Sequence, residues 1–160
     1  NKYGMNSLLR RLPFFKDNCN GFFSREEVPY KKFFFKKGSK KLIYELEVGN
    51  DISLLLCHFS LSHAVRREQF RELEVIIKNR ERAILCGDFN IFRGTHEVDE
   101  LMKVCKLHSV TAYAPTFPAI SPSKAFDMFL CTESLHITRC EVMKDFKGSD
   151  HLPVIMEFKL

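Results

Sequence analysis

Residues 52–59 (Ile-Ser-Leu-Leu-Leu-Cys-His-Phe) run almost without a polar break. A strand with one face in water alternates polar and apolar positions, so a near-continuous run of this length predicts a strand covered on both faces. Residues 82–89 read the same way. Between the two runs, Phe70, Leu73, Ile76 and Ile77 recur at helical spacing within a segment from about His63 to Asn79, with Ser62 or Ser60 as its cap. Arg66, Arg67, Glu68, Arg71 and Glu72 are expected on the outer face of that helix. Buried strands alternating with an amphipathic helix restrict the chain to a layered α/β arrangement, sheets flanked by helices.

The remaining elements fill in that plan. Residues 6–15 read as a strand stopped by Pro13, and Asp17 to Gly21 as a turn. Residues 28–37 and 40–48 flank Gly38-Ser39 as a hairpin. Gly94-Thr95 opens a second helix running to about Lys106, with Val98, Leu101, Met102 and Cys105 inward. A Pro-containing loop from Ala114 to Ser123 leads to strands over 125–131, 136–145 and 153–159. No repeat or low-complexity linker interrupts the 160 residues, so residues 1–160 are expected to form a single domain.

Sixteen Phe and no Trp point to thick aromatic packing between layers. The net charge of +5 suits a polyanionic substrate or an acidic surface without choosing between them. The six Cys show no metal-type spacing, and Cys57, Cys86 and Cys131 fall inside strand-like runs; unpaired core thiols in a reducing, cytoplasmic setting are the expectation. No apolar stretch is long enough to span a membrane. A monomer is expected.

The polar residues at the ends of these strands carry the chemistry. Asp88 and Asn90 bracket Phe89, so a strand ending there offers a carboxylate and a carboxamide to one volume. The same pattern also describes an Asx-type turn. Asp150 and His151 precede the last strand and could bring a hard-cation ligand and an acid/base group to the same rim. Asp127 sits among apolar neighbours in Ala-Phe-Asp-Met-Phe-Leu and needs a partner, for which His151 is the candidate. His58 ends the run 52–58 and could reach the same sheet edge. His63, His96, His108 and His136 fall in helix or loop contexts and carry no signal. The stretch Tyr30 to Lys37, with Lys40 and Lys41, reads either as a grip on a phosphate backbone or as an edge strand protected by lysines.

Taken together, these tracts resemble the endonuclease/exonuclease/phosphatase superfamily. Gly4-Met5-Asn6-Ser7-Leu8-Leu9-Arg10-Arg11 looks like its "G-N-A-L-L-S-R" strand, and His58-Phe59-Ser60-Leu61-Ser62 with Arg67 and Gln69 like its "H-L" strand end and following helix. Gly87-Asp88-Phe89-Asn90 resembles the central signature, and Thr116-Phe117-Pro118, Phe126-Asp127 and Ser149-Asp150-His151 the "T-F-P", "(I/L)-D" and "S-D-H" tracts. The resemblance implies a four-layer α/β sandwich of two mixed β-sheets flanked by helices. It implies a hydrolase of phosphoester bonds, most readily of a phosphodiester, with nucleic acid the substrate toward which the basic stretch leans. Asp88 would orient or deprotonate water, Asn90 and His58 would bind non-bridging phosphate oxygens, and Asp150 would hold Mg²⁺ or Mn²⁺. His151, steered by Asp127, would stabilise five-coordinate phosphorus. The family's metal-binding Glu lies upstream of the "G-N-A-L-L-S-R" strand, so this chain is expected to be the latter two-thirds of a domain whose metal-dependent activity needs residues before it. A phosphomonoesterase of inositol phosphate or lipid type, and an inactive remnant or interaction domain, are the competing readings.

Overall fold

A computed structural model describes residues 20–49, 51–146 and 148–159. The expected strand over 6–15, the beginning of the turn at Asp17 and the tract at Gly4–Arg11 lie outside the described residues. Among these residues eight strands and two helices follow in the order β1 (Tyr30–Phe34), β2 (Leu42–Val48), β3 (Ile52–His58), α1 (His63–Ile77), β4 (Ala83–Asp88), α2 (Asp99–Cys105), β5 (Leu107–Ser109), β6 (Asp127–Thr132), β7 (His136–Val142) and β8 (Val154–Lys159). The second helix starts as a 3-10 turn over Thr95–Val98. Strand β5 was not expected; at three residues it is too short to show a period.

The larger sheet is mixed, in the order β1-β2-β3-β4-β6-β5, with β3 and β4 parallel and the other neighbours antiparallel. The β3–α1–β4 crossover explains the parallel pair, since parallel neighbours need a long connection. The second sheet, as described, is the antiparallel pair β7-β8. The expected α/β plan with two sheets is the one that forms.

Two cores explain the unbroken apolar runs. Leu55 and Cys57 of β3 and Ala83 and Leu85 of β4 pack with Phe70, Leu73 and Ile77 of α1 and with Leu101 and Cys105 of α2. Ile52 of β3 and Ile84 and Cys86 of β4 face the other way, into a cluster joined by Phe129 and by Met156 and Phe158 of β8. Phenylalanines concentrate in the first core: Phe59 lies 4.9 Å from both Phe70 and Phe89, ring centroid to centroid. Cys57, Cys86, Cys105 and Cys131 are buried free thiols, and burial pushes Cys86 and Cys131 up to about 12. Among the described residues no helix is long and apolar enough to cross a membrane.

One helix position corrects the sequence reading. Arg66, expected on the outer face, is fully buried. Positions 66, 70, 73 and 77 form one stripe, so periodicity placed Arg66 inward while its charge argued outward. Glu97 resolves the conflict: Arg66 Nε donates to Glu97 Oε2 at 3.1 Å, and its Nη2 pairs with the same oxygen. Arg66 Nη1 donates to the carbonyls of Ser60 at 2.8 Å and Leu61 at 3.2 Å, while Glu97 Oε1 accepts the Arg93 N–H. The buried pair thereby ties the loop after β3 to the loop after β4. Stranding one partner of such a pair costs on the order of 3–5 kcal/mol. Ser62 occupies the N-cap of α1 without a side-chain cap bond; the Ser60 hydroxyl accepts the Ser62 N–H.

Candidate active site

Strand register lines up the central residues. His58 of β3 is the register partner of Asp88 of β4, and Asp88 is the partner of Asp127 of β6. Three polar residues therefore stand side by side across three adjacent strands at one end of the larger sheet. A cleft of about 490 Å³ opens over this row, lined also by Asn90, Asp150 and His151. All six residues singled out in the sequence thus meet in one place.

The approach of β3 and β4 beneath the row depends on Gly87. Its φ is +131°, and a Cβ there would sit 1.9 Å from the carbonyl oxygen of Cys57. Only glycine meets both conditions.

Asp88 is held from several sides. Its Oδ1 accepts the backbone N–H of Asn90 at 3.0 Å, and its Oδ2 accepts Asn90 Nδ2 at 3.0 Å and lies 3.0 Å from His58 Nε2. The Asx turn and the functional reading are the same geometry here. Asn90 sits at φ +52°, which asparagine tolerates better than most residues. Its second amide hydrogen goes to the Phe59 carbonyl at 3.1 Å. Both amide hydrogens face groups that only accept, so Asn90 as placed orients Asp88 instead of pointing a donor at a phosphate.

A second carboxylate–imidazole pair faces the first. Asp127 Oδ2 lies 2.7 Å from His151 Nδ1 and accepts the Thr116 hydroxyl at 2.6 Å. Thr116 is fully buried, and its oxygen lies 3.3 Å from the N–H groups of Phe126 and Asp127. The loop bearing His151 is pinned by Ala119 N–H on the Asp150 carbonyl and Leu152 N–H on the Thr116 carbonyl, both at 2.8 Å. Phe117 packs on the imidazole with centroids 4.8 Å apart. An ionised Asp127 can only accept, so Nδ1 carries the proton and Nε2 is the ring nitrogen able to act on a bound ligand.

Two residues at the site carried weaker sequence signals. Thr116 was part of a tract, with no role of its own. Lys40 was one basic residue among many, yet it lines the cleft with its Nζ on His58 Nε2. Among the described residues β1 ends the larger sheet, and Lys32 lies over the rings of Tyr30 and Tyr44.

The two carboxylates titrate in opposite directions. Burial raises Asp127 above its ordinary 3.8, more than its bonds to Thr116 and His151 lower it, and the charge of Asp88 adds to the rise. Burial also raises Asp88, but the His58 bond and charge, with His151 and Lys40, bring it below 3.8. Asp127 therefore contributes stability that is fully present below the unfolded value and lost as pH rises through the folded one. Asp88 contributes stability present above the unfolded value and lost as pH falls through the folded one. As pH rises through the carboxylate range, Asp127→Asn is expected to gain stability relative to the parent chain and Asp88→Asn to lose it, read by urea unfolding. Slopes of the same sign would contradict this assignment.

Among the described residues no group of three His, Cys, Asp or Glu side chains is placed to hold a metal ion. Asp150 is exposed, and its Oδ1 accepts the Ser149 hydroxyl at 3.2 Å. That donor set fits a Mg²⁺-type cation, which commonly takes one or two carboxylates together with waters and substrate phosphate oxygens; it does not form a complete protein cage.

The chain matches solved structures along most of its described length. An endonuclease/exonuclease/phosphatase family protein from Leptotrichia buccalis matches over 86% of this chain and 63% of its own, at TM-score 0.66 and 16% identity. The mannosyl-6-phosphatase of Bacteroides thetaiotaomicron covers 84% of this chain and 67% of its own, at 0.64 and 17%. A humanized D. rerio TDP2 carrying 14 mutations covers 82% and 66%, at 0.65 and 15%. No protein-family model matches the sequence, and no curated protein does. The likeness is one of architecture: the chain has the endonuclease/exonuclease/phosphatase fold and spans between 63% and 67% of the length of these three structures.

Proposed function

We propose that the cleft hydrolyses phosphoester bonds, with a phosphodiester as substrate. The observation that carries this reading is the row His58–Asp88–Asp127 across three neighbouring strands, with His151 closing over it from Asp127. Asp88, held below the ordinary carboxylate range, stays ionised and is a weak base. Its role is to orient an attacking water through the remaining lone pairs of Oδ1, with Asn90 fixing its direction. His58 would bind a non-bridging oxygen by turning its Nε2 from Asp88. His151, its Nδ1–H held by Asp127, donates from Nε2 as the imidazolium to the phosphoryl oxygens as negative charge grows there. Asp150 would hold Mg²⁺ or Mn²⁺, which when bound offsets charge on the phosphate or the leaving oxygen. Asp88 would also fit a phosphomonoester, and the two ester classes differ only in the groups around phosphorus. The second reading is a catalytically inactive remnant or interaction domain.

Turnover of bis-p-nitrophenyl phosphate and p-nitrophenyl phosphate by the full chain, with Mg²⁺ or Mn²⁺, separates these readings. The diester is expected to turn over faster, and Asp88→Asn to lower kcat on the order of 10²-fold or more. A faster monoester reaction would reassign the substrate class. No turnover of either ester would leave the non-catalytic reading standing.

A further inference from the structure

Accepting the cleft as a phosphoester site, we infer that Lys40 is a substrate-contacting residue, its ammonium taking a non-bridging phosphate oxygen and giving the site an anion grip that needs no metal. The wall of the cleft holds three carboxylates, Asp88, Asp127 and Asp150, and Lys40 is its one lysine or arginine among the described residues. A phosphate entering beside those carboxylates meets repulsion that Lys40 is placed to offset. Its Nζ stands against His58 Nε2, and its charge also acts on Asp88. A phosphate oxygen can take a charge-assisted bond from that ammonium.

The position of Lys40 is built into the fold, as that of an ordinary surface lysine is not. Gln69, fully buried on α1, donates from Nε2 to the Lys40 carbonyl at 2.9 Å and the Lys37 carbonyl at 3.2 Å, and its Oε1 accepts the Ser60 N–H at 2.9 Å. The Glu72 carboxylate accepts the Lys36 N–H at 3.0 Å. Gly38, at φ +97°, allows the β1–β2 loop to close on α1, where a Cβ would come within 3.0 Å of Val65 Cγ1 and 3.1 Å of Gln69 Nε2. One buried glutamine thus joins the loop carrying Lys40 to the loop that follows His58.

The test is calorimetric titration of inorganic phosphate into the full chain in EDTA, comparing the parent with Lys40→Gln and Lys40→Arg. The parent is expected to bind, Lys40→Gln to bind on the order of tenfold more weakly, and Lys40→Arg to stay within about threefold of the parent. Far-UV circular dichroism of the variants checks that each is folded, and a fall shared equally by Lys40→Arg would indicate a structural role and overturn the assignment. Equal binding by the parent and Lys40→Gln would also overturn it, as would no binding by the parent without metal. A parent that hydrolyses the diester with Mg²⁺ but ignores phosphate in EDTA sinks the Lys40 role alone. Lys40-dependent phosphate binding without turnover sinks the hydrolase and keeps the anion grip.

Discussion

Replacing His151 with alanine is expected to lower kcat on a phosphodiester by about 10²–10⁴-fold, the usual contribution of a positioned proton donor. The effect should sit in kcat more than in KM, because the imidazole works against charge that grows only toward the transition state. Asp127→Asn should reproduce most of that loss without removing the ring. A carboxamide carries no charge to balance the imidazolium, and one that donates to Nδ1 leaves a neutral ring, so the 2.7 Å contact no longer supports the charged donor. The double variant is then expected to fall little below His151→Ala alone, since the two side chains act as one unit. Steady-state kinetics of the three variants on bis-p-nitrophenyl phosphate decide this. Multiplicative losses in the double variant, or a His151→Ala enzyme within threefold of the parent, would remove the pair from the chemistry.

Gly87→Ala is expected to be the most damaging small substitution for stability. Added strain at φ +131° and the 1.9 Å approach of a Cβ to the Cys57 carbonyl act together, for a loss on the order of 2–6 kcal/mol. Against a typical domain stability of about 5–15 kcal/mol, that is enough to leave much of the chain unfolded. The neighbouring atom is backbone in the partner strand, so no side-chain rotation relieves the contact. β3 and β4 would have to separate, and they would do so directly under His58 and Asp88. Urea unfolding followed by circular dichroism, chosen because the chain has no Trp, is the measurement. A loss below about 1 kcal/mol would show that the strands can part at no cost.

Much of this architecture was legible because its signals are local. Runs 52–59 and 82–89 are apolar on both faces since Leu55 and Leu85 enter one core while Ile52, Ile84 and Cys86 enter the other. His58 and Asp88 stood out because each is polar at the end of such a run, where side-chain alternation leaves little choice of face, and Asp127 because a carboxylate among apolar neighbours needs a partner. Arg66 shows the limit of that logic. Its place in the stripe with Phe70, Leu73 and Ile77 was visible, but burying a guanidinium is tolerable only beside Glu97, which lies 31 positions along the chain.

The chain's own order of residues determined which strands are buried, which polar groups end them, and that Asp127 needs a partner in an apolar setting. Tertiary structure alone decided that β3, β4 and β6 are neighbours in a register that aligns His58, Asp88 and Asp127. It also decided that Thr116 shares the Asp127 oxygen with His151, and that Gln69 sets Lys40 over His58. The physical reason is range: periodicity and burial act between residues a few positions apart, whereas these contacts join segments through hydrogen bonds whose two ends carry no mark of each other in the sequence.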